Sequence, residues 1–254
     1  MDPWRTALVH ARDGRIWIRG HDVASLMQSA TFTDTIFLLH RGRLPDTRER
    51  RILDAILTAS ADHGPGAPSC AAARLAASGN RQSLSAAVAA GVLAIGDEHG
   101  GAGESCMRVI ADGLGRVKAR NTSIDAAASE IVAEARREAR RIPGFGHRVH
   151  SVDPRVEVLF ELARQDGRES DGVLFLRALH TAIAAAVKPL PINIDGALAA
   201  LLHDLGFPAE AGKLLFIVAR VVGLTAEVAE EHAREKPMRI TIPVEYDGVP
   251  PIGD

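Results

Sequence analysis

The sequence predicts a mostly α-helical protein, and three observations carry that expectation. Alanine, the strongest helix former, fills 42 of the 254 positions, whereas aromatic residues, which favour strands, make up only 4%. Beyond residue 22 the apolar positions recur largely at spacings of three and four, the period of one helix face. The breaks between these runs are rich in glycine and proline, as loops between helices require.

Taken in order, residues 6–9 and 15–19 flank Asp13-Gly14, a dipeptide suited to a tight turn. They are expected to form a small β-hairpin, the one sheet of note. Leu26, Ile36, Leu38 and Leu39, then Ile52, Leu53, Ile56 and Leu57, follow the helical period. Leu44-Pro45-Asp46-Thr47 reads as a helix stop followed by a cap. His63-Gly64-Pro65-Gly66-Ala67-Pro68-Ser69 is a loop of breakers, and Ser69 is placed to cap a helix over 70–77. Residues 84–95 are small and apolar on every face, which predicts a helix buried all round. A glycine-rich loop spans 96–103. An amphipathic helix over 124–142 ends in the loop Pro143-Gly144-Phe145-Gly146. Asp153-Pro154 opens a helix to about residue 165, and helices over 172–187, 196–205 and 209–234 follow. The tail from Pro237 is proline-rich and irregular, and the chain shows no internal repeat.

Composition narrows the function classes. Hydrophobic residues reach 46%, charged residues 24%, and the formal net charge is -2. That excludes global disorder and argues against a nucleic-acid or membrane-surface partner. A chain of this length buries roughly 70–75% of its unfolded surface, so it needs no disulfide or metal staple. Cys70 and Cys106 show no paired spacing and read as reduced core thiols. No apolar run approaches about 20 residues, and the first residues lack a basic-then-apolar signal, so a cytoplasmic protein is expected.

Loops are where chemistry is to be sought in a helical protein. Three of them place a titratable residue beside glycine: Glu98-His99-Gly100-Gly101, Gly144-Phe145-Gly146-His147-Arg148 and Asn193-Ile194-Asp195-Gly196. Glycine there allows close backbone approach to a ligand, and the helix N-termini that follow attract anions. Each residue also has an ordinary explanation. Loop histidines are usually structural, Asp195 suits a helix cap, and Arg148, Arg155 and Arg220 suit solvated surfaces. Spacing alone supports a helical protein with a candidate acid/base site.

The motifs together say more. His147-Arg148-Val149, preceded by Pro143-Gly144-Phe145-Gly146 and followed by Asp153-Pro154-Arg155, resembles the signature of the citrate synthase superfamily. Asp13-Gly14, Ile18-Arg19-Gly20, Phe37-Leu38-Leu39 and Gly42-Arg43-Leu44-Pro45 resemble its N-terminal stretch. His99-Gly100-Gly101-Ala102 and Asn193-Ile194-Asp195-Gly196 resemble two further loops, in the same order. Ala61-Asp62-His63-Gly64-Pro65 and the 91–97 stretch resemble the citryl-CoA lyase branch, which includes the C-terminal lyase module of ATP-citrate lyase. The resemblance implies a citrate-synthase-like helical fold over 1–254, with large and small helical subdomains around a cleft. The small one would be inserted at roughly 104–200. The longer insertions of full-length citrate synthases are missing, and no ATP-dependent citrate-activating portion is expected.

The resemblance also implies roles. The superfamily makes or breaks the bond between the acetyl carbon of a thioester and a carbonyl carbon, through an enol. Carried over, Asp195 serves the methyl carbon, His99 donates to the thioester oxygen, and His147 exchanges the alcohol proton. His63, Arg155 and Arg220 would bind the carboxylates of the acid substrate, with Arg239 a candidate for the arginine that the family borrows across a two-fold interface. Pro143, Gly144, Phe145 and Gly146, with Arg148 or Lys188 near the phosphates, would hold CoA. The 136–141 arginine cluster reads either as a solvated helix face or as a phosphate contact. No metal or cofactor is expected beyond the CoA thioester substrate, since His147 and His150 form a lone HxxH without further ligands. A homodimer or homotetramer is implied. Three departures concern the acid substrate: the C-terminal arginine pattern is reduced to Met238-Arg239, Glu227 stands where citrate synthases often have histidine, and the gap from His147 to Arg155 is about one residue short.

The expected activity is therefore cleavage of citryl-CoA to acetyl-CoA and oxaloacetate. Two alternatives remain at this stage: a compact citrate synthase-like condensing enzyme using a 2-oxo acid, and a non-catalytic acyl-CoA-binding paralogue. Retention of His99, His147 and Asp195 together speaks against the last. A serine hydrolase and a dinucleotide enzyme lack their motifs and their strands.

Overall fold

A computed structural model describes residues 3–146, 153–164 and 169–249. Among the described residues it contains eleven helices and one three-stranded antiparallel sheet, so the protein is mostly helical as expected. The chain divides into two compact units, Met1–Asp62 with Ile95–Arg220, and His63–Ala94 with Val221–Asp254. The 104–200 segment lies wholly within the first.

In the first unit, β1 (Val9–Arg12) and β2 (Arg15–Ile18) form the expected hairpin, and β3 (His21–Asp22) extends it. Asp13 and Gly14 both adopt positive φ, 50° and 73°, the geometry of a two-residue hairpin turn. Pairing of Arg12 with Arg15 directly across that turn brings the first strand to 9–12, later than the 6–9 expected. Asp22 then caps α1 (Val23–Ser29). Reciprocal capping boxes, Thr31 with Asp34 and Asp46 with Glu49, start α2 (Phe32–Arg41) and α3 (Thr47–Ser60), so the cap read at Asp46 is in place.

Next come α6 (Ala102–Arg120), α7 (Ile124–Arg137), α8 (Pro154–Ala163), α9 (Asp171–Ala186) and α10 (Ile194–Asp204), the labels α4 and α5 belonging to the second unit. Helix α6 runs through Gly113 and Gly115, which had hidden it from the sequence pattern. Gly113 is required there, because a Cβ would lie 1.9 Å from the Phe175 ring. Helix α7 stops short of residue 142, and Ala139 turns the chain with φ 51°. At the centre, α10 packs against α3, α6, α8 and α9, and residues 196–202 are buried in succession. Each fully buried leucine there stabilises the unit by about 1.5–3 kcal/mol relative to exposure.

The second unit holds α4 (Pro68–Gly79), α5 (Leu84–Leu93) and the 221–234 part of α11 (Ala211–Arg234). Its small core joins Ala67, Cys70, Ala73, Ala77, Ala87, Leu224 and Val228. Two expectations are corrected here. Helix α4 begins at Pro68, with Ala67 at the cap position and Ser69 buried inside the helix. Proline's fixed φ and missing N–H suit the first helical position, so the start moves ahead of Ser69. Helix α5 is not buried all round: Ala87 and Gly91 face inward, while Leu84 and Leu93 are 59% and 85% exposed. Its contact narrows to the glycine, where a Cβ would lie 2.8 Å from Leu224 and 2.9 Å from the Ser69 carbonyl.

Neither cysteine forms a disulfide and both are buried, as expected. Among the described residues no helix is long and apolar enough to cross a membrane.

Candidate active site

The first unit gathers the site around the N-terminus of α10. Asn193 caps that helix by accepting from the Gly196 amide at 3.1 Å. Its side-chain amide donates to the Gly146 carbonyl at 2.9 Å, its own backbone N–H donates to Gly144, and Gly146 N–H donates to Pro191. The 143–146 loop is thereby strapped to the 191–196 loop. The strap needs glycine on both sides: a Cβ on Gly196 would stand 2.5 Å from the Gly144 oxygen, and Gly144, at φ 91°, would meet Cys106 Sγ at 2.7 Å. These short approaches hold Asp195, in the first turn of α10, against the loop that leads into residue 147.

Two arginines converge on Asp195. Arg155 donates from Nη1 to the Ala59 carbonyl at 3.1 Å, and Arg220 donates from Nε to the Ser60 carbonyl at 3.1 Å. Consecutive carbonyls at the C-terminus of α3 thus anchor both guanidiniums side by side, where a helix end leaves acceptors unpaired and favours cations. Asp153 grips Arg155 with both oxygens, at 2.9 and 2.7 Å. Burial pushes the Asp195 carboxyl above its ordinary value. The charges of Arg155 and Arg220 pull it down, and that of Asp153 adds to the rise. Burial, with Asp195 nearby, also raises the Cys106 thiol, which stays protonated.

His99 is half-buried in the second glycine loop, folded by reciprocal backbone bonds between Gly96 and His99. Its ring meets Phe216 edge-on with centroids 6.1 Å apart. The same Phe216 ring lies 4.9 Å beneath the Arg220 guanidinium. One aromatic floor therefore carries both a candidate donor and a candidate carboxylate ligand.

Behind the 143–146 loop lies a cavity of about 430 Å³. Ile142, Phe145, Ile183 and Val187 form its apolar part, and Arg136, Arg140, Arg141 and Lys188 supply cations. An apolar slot rimmed by guanidiniums suits a planar base with phosphates. The 136–141 cluster therefore lines a cavity rather than only a solvated face.

The structure thus brings together His99, Asp195, Arg155 and Arg220, with Pro143, Gly144, Phe145 and Gly146 beside them. His63 and Arg239 belong to the second unit. His63 is exposed there. Arg239 donates to Glu231 at 2.9 Å and pairs with Glu235, while Glu227 pairs with Arg74. His147 and Arg148 lie outside the described residues. Sequence reasoning had not assigned Asp153, Phe216 or Cys106 to the site. Phe216 was within reach, since it precedes Arg220 by one helical turn.

Comparison with known proteins identifies the family and the fold. A family model described as citrate synthase, C-terminal domain, matches residues 45–241. The citryl-CoA lyase structure from Hydrogenobacter thermophilus is 37% identical, with a TM-score of 0.88 over 98% of this chain and 96% of that one. An ATP citrate lyase from Methanosaeta concilii, solved with (3S)-citryl-CoA, shares the fold at 20% identity and a TM-score of 0.78, over 97% of this chain and 42% of that one. Citrate synthase of Helicobacter pylori is 31% identical over 77% of this chain and 46% of that protein. Citrate synthase of Haloferax volcanii is 27% identical over 87% and 57%. The chain spans about half the length of such curated relatives.

Proposed function

The chain belongs to the citrate synthase family, and on that premise we propose that it is a carbon–carbon lyase that cleaves citryl-CoA to acetyl-CoA and oxaloacetate. One observation carries the reading: a carboxyl disposed to hold a proton, Asp195, stands beside two fixed guanidiniums, Arg155 and Arg220. The first suits protonation of an enol carbon, and the second suits a dicarboxylate.

In this reading His147 takes the hydroxyl proton of citryl-CoA. The bond between the hydroxyl-bearing carbon and the thioester's methylene carbon breaks, leaving oxaloacetate and the acetyl-CoA enolate. His99 donates a hydrogen bond to the enolate oxygen, a kind of donor whose removal typically costs about 10²–10³-fold. Asp195 delivers its proton to the enolate carbon and completes the methyl group. No water is consumed and the thioester survives. The proton gained by His147 and the one lost by Asp195 balance through solvent. Arg155 and Arg220 receive the oxaloacetate carboxylates. The cationic cavity beside Phe145 receives the nucleotide end of CoA.

The preference for a lyase over a condensing synthase is supported by the likeness to the Hydrogenobacter lyase over nearly the full length of both chains. The synthase reading keeps one supporting observation, the citrate synthases among the curated relatives. Asp195→Asn tests the reading. Turnover is expected to fall by about 10²–10⁴-fold with CoA affinity retained. Unchanged turnover would remove Asp195 from the chemistry.

A further inference from the structure

Resting on the lyase reading, we propose that Asp153 is a positioning residue of this site, whose buried carboxylate fixes Arg155 to receive a substrate carboxylate and offsets its charge beside Asp195.

A helix cap alone does not explain Asp153. It caps α8 by accepting from the Arg155 amide at 3.1 Å, a task that serine or asparagine performs equally well. Yet the position holds a charged group that is 1% exposed, more buried than the Arg155 side chain it binds at 25%. A buried carboxylate is costly unless its charge is used. Both of its oxygens grip Arg155, Oδ1 on Nε and Oδ2 on Nη2, a two-pronged contact between planar groups. Pro154, at the first helical position, stiffens the single residue between them.

The grip leaves a defined remainder. A guanidinium has five N–H groups. Asp153 takes one on Nε and one on Nη2, and the Ala59 carbonyl takes one on Nη1. Among the described residues this leaves one N–H on Nη1 and one on Nη2, a pair able to take a carboxylate in two-pronged fashion. Arg220, hung from the neighbouring Ser60 carbonyl, adds a second cation. Two fixed cations match a dianion, and Asp153 offsets part of their mutual repulsion.

The same carboxylate acts on proton transfer. Among the described residues, the charged and titratable groups that bear on Asp195 are Arg155 of α8 with Asp153 at its cap, Arg220 of α11 and the Cys106 thiol of α6, which is neutral. Arg155 and Arg220 favour the ionised Asp195, whereas Asp153 favours the protonated one. Removing the Asp153 charge therefore makes Asp195 release its proton at lower pH.

Asp153→Asn and Asp153→Ser test this, since both keep a capping oxygen and remove the charge. With wild-type cleavage of citryl-CoA as reference, both are expected to raise KM and to lower kcat/KM by on the order of tenfold to a hundredfold. Both should keep a cooperative thermal transition and move the alkaline limb of the cleavage profile to lower pH. Below that limb, adding Asp153→Asn to Arg155→Gln should cost kcat/KM nothing further, since the grip is already lost. An unchanged KM and pH limb, a loss that multiplies with that of Arg155→Gln, or loss of the fold in both variants would each overturn the proposal. Absence of wild-type turnover would refute the lyase reading instead. Oxaloacetate affinity by calorimetry, in wild type and Asp153→Asn, would then decide the role of Asp153 in the same way.

Discussion

Substituting Gly196 by alanine sets helix propensity against packing. In an open helix, glycine to alanine is stabilising by roughly 0.5–1 kcal/mol. At Gly196 the new Cβ would lie 2.5 Å from the Gly144 oxygen and 3.2 Å from its carbonyl carbon, both backbone atoms, whereas ordinary contact begins at 3.4 Å. Relief requires the two loops to part by about 0.9 Å, which is 3.4 less 2.5. That displacement loads the three bonds that strap them, Asn193 to Gly144, Asn193 to Gly146, and Gly146 to Pro191. At about 1 kcal/mol net for each bond, the cost is about 1–3 kcal/mol. Because Asp195 and the chain entering residue 147 move apart together, a shift of about 1 Å is expected to lower kcat by on the order of 100-fold. Differential scanning calorimetry and steady-state cleavage assays read the two effects, with a Tm fall of about 2–10 °C expected for a chain of this size. Gly115→Ala is the control. It lies in α6 with nothing within 4 Å of its Cβ position and is expected to raise stability slightly without touching activity. A Gly196→Ala variant as active and as stable as wild type would refute the close-strapped site.

The raised proton affinity of Asp195 fixes the sign of a pH effect: cleavage needs this carboxyl protonated, so its rate should fall as pH rises through the elevated value, while condensation of acetyl-CoA should gain in the same range. Pre-steady-state rates in both directions across pH would show it, and parallel profiles would contradict it. Replacing Arg140 and Lys188 by glutamine is expected to raise KM for the CoA thioester about tenfold or more with kcat little changed, and added salt should mimic the change. In the second unit the Arg239 bond holds the Glu231 carboxyl below its ordinary 4.5. A depressed carboxylate contributes stability that is present above about pH 4.5 and lost as pH falls further. Glu231→Gln should therefore lower Tm by several degrees at neutral pH and flatten the acid dependence of Tm, as measured by circular dichroism.

Local signals were legible in the sequence. The Asp13-Gly14 turn, the Asp46 cap and the Asp153-Pro154 helix start each rest on a few adjacent residues, and each stands where expected, with only the first strand's bounds moved. Signals that depend on packing were not. Helix α6 crosses two glycines because Phe175 occupies the space over one of them. The uniform apolarity of α5 foretold burial, yet its unit covers only the Ala87 and Gly91 side. At the site, motif likeness nominated Asp195, Arg155 and Arg220, and the structure brings these three together. It gave no sign that the carbonyls of Ala59 and Ser60, 96 and 160 residues away in sequence, anchor the two arginines, nor that Asp153 grips one of them. Arg239 was nominated by its place near the C-terminus, whereas its partner Glu231 lies on the preceding helix, a pairing that no local pattern announces.

The most direct test of the account is to mix the purified protein with chemically prepared citryl-CoA. Oxaloacetate is followed through malate dehydrogenase and NADH, and free thiol through a thiol reagent in parallel. The account expects rapid NADH loss without release of free CoA, since the cleavage returns intact acetyl-CoA. Free CoA without oxaloacetate, or no signal in either cuvette, would contradict it.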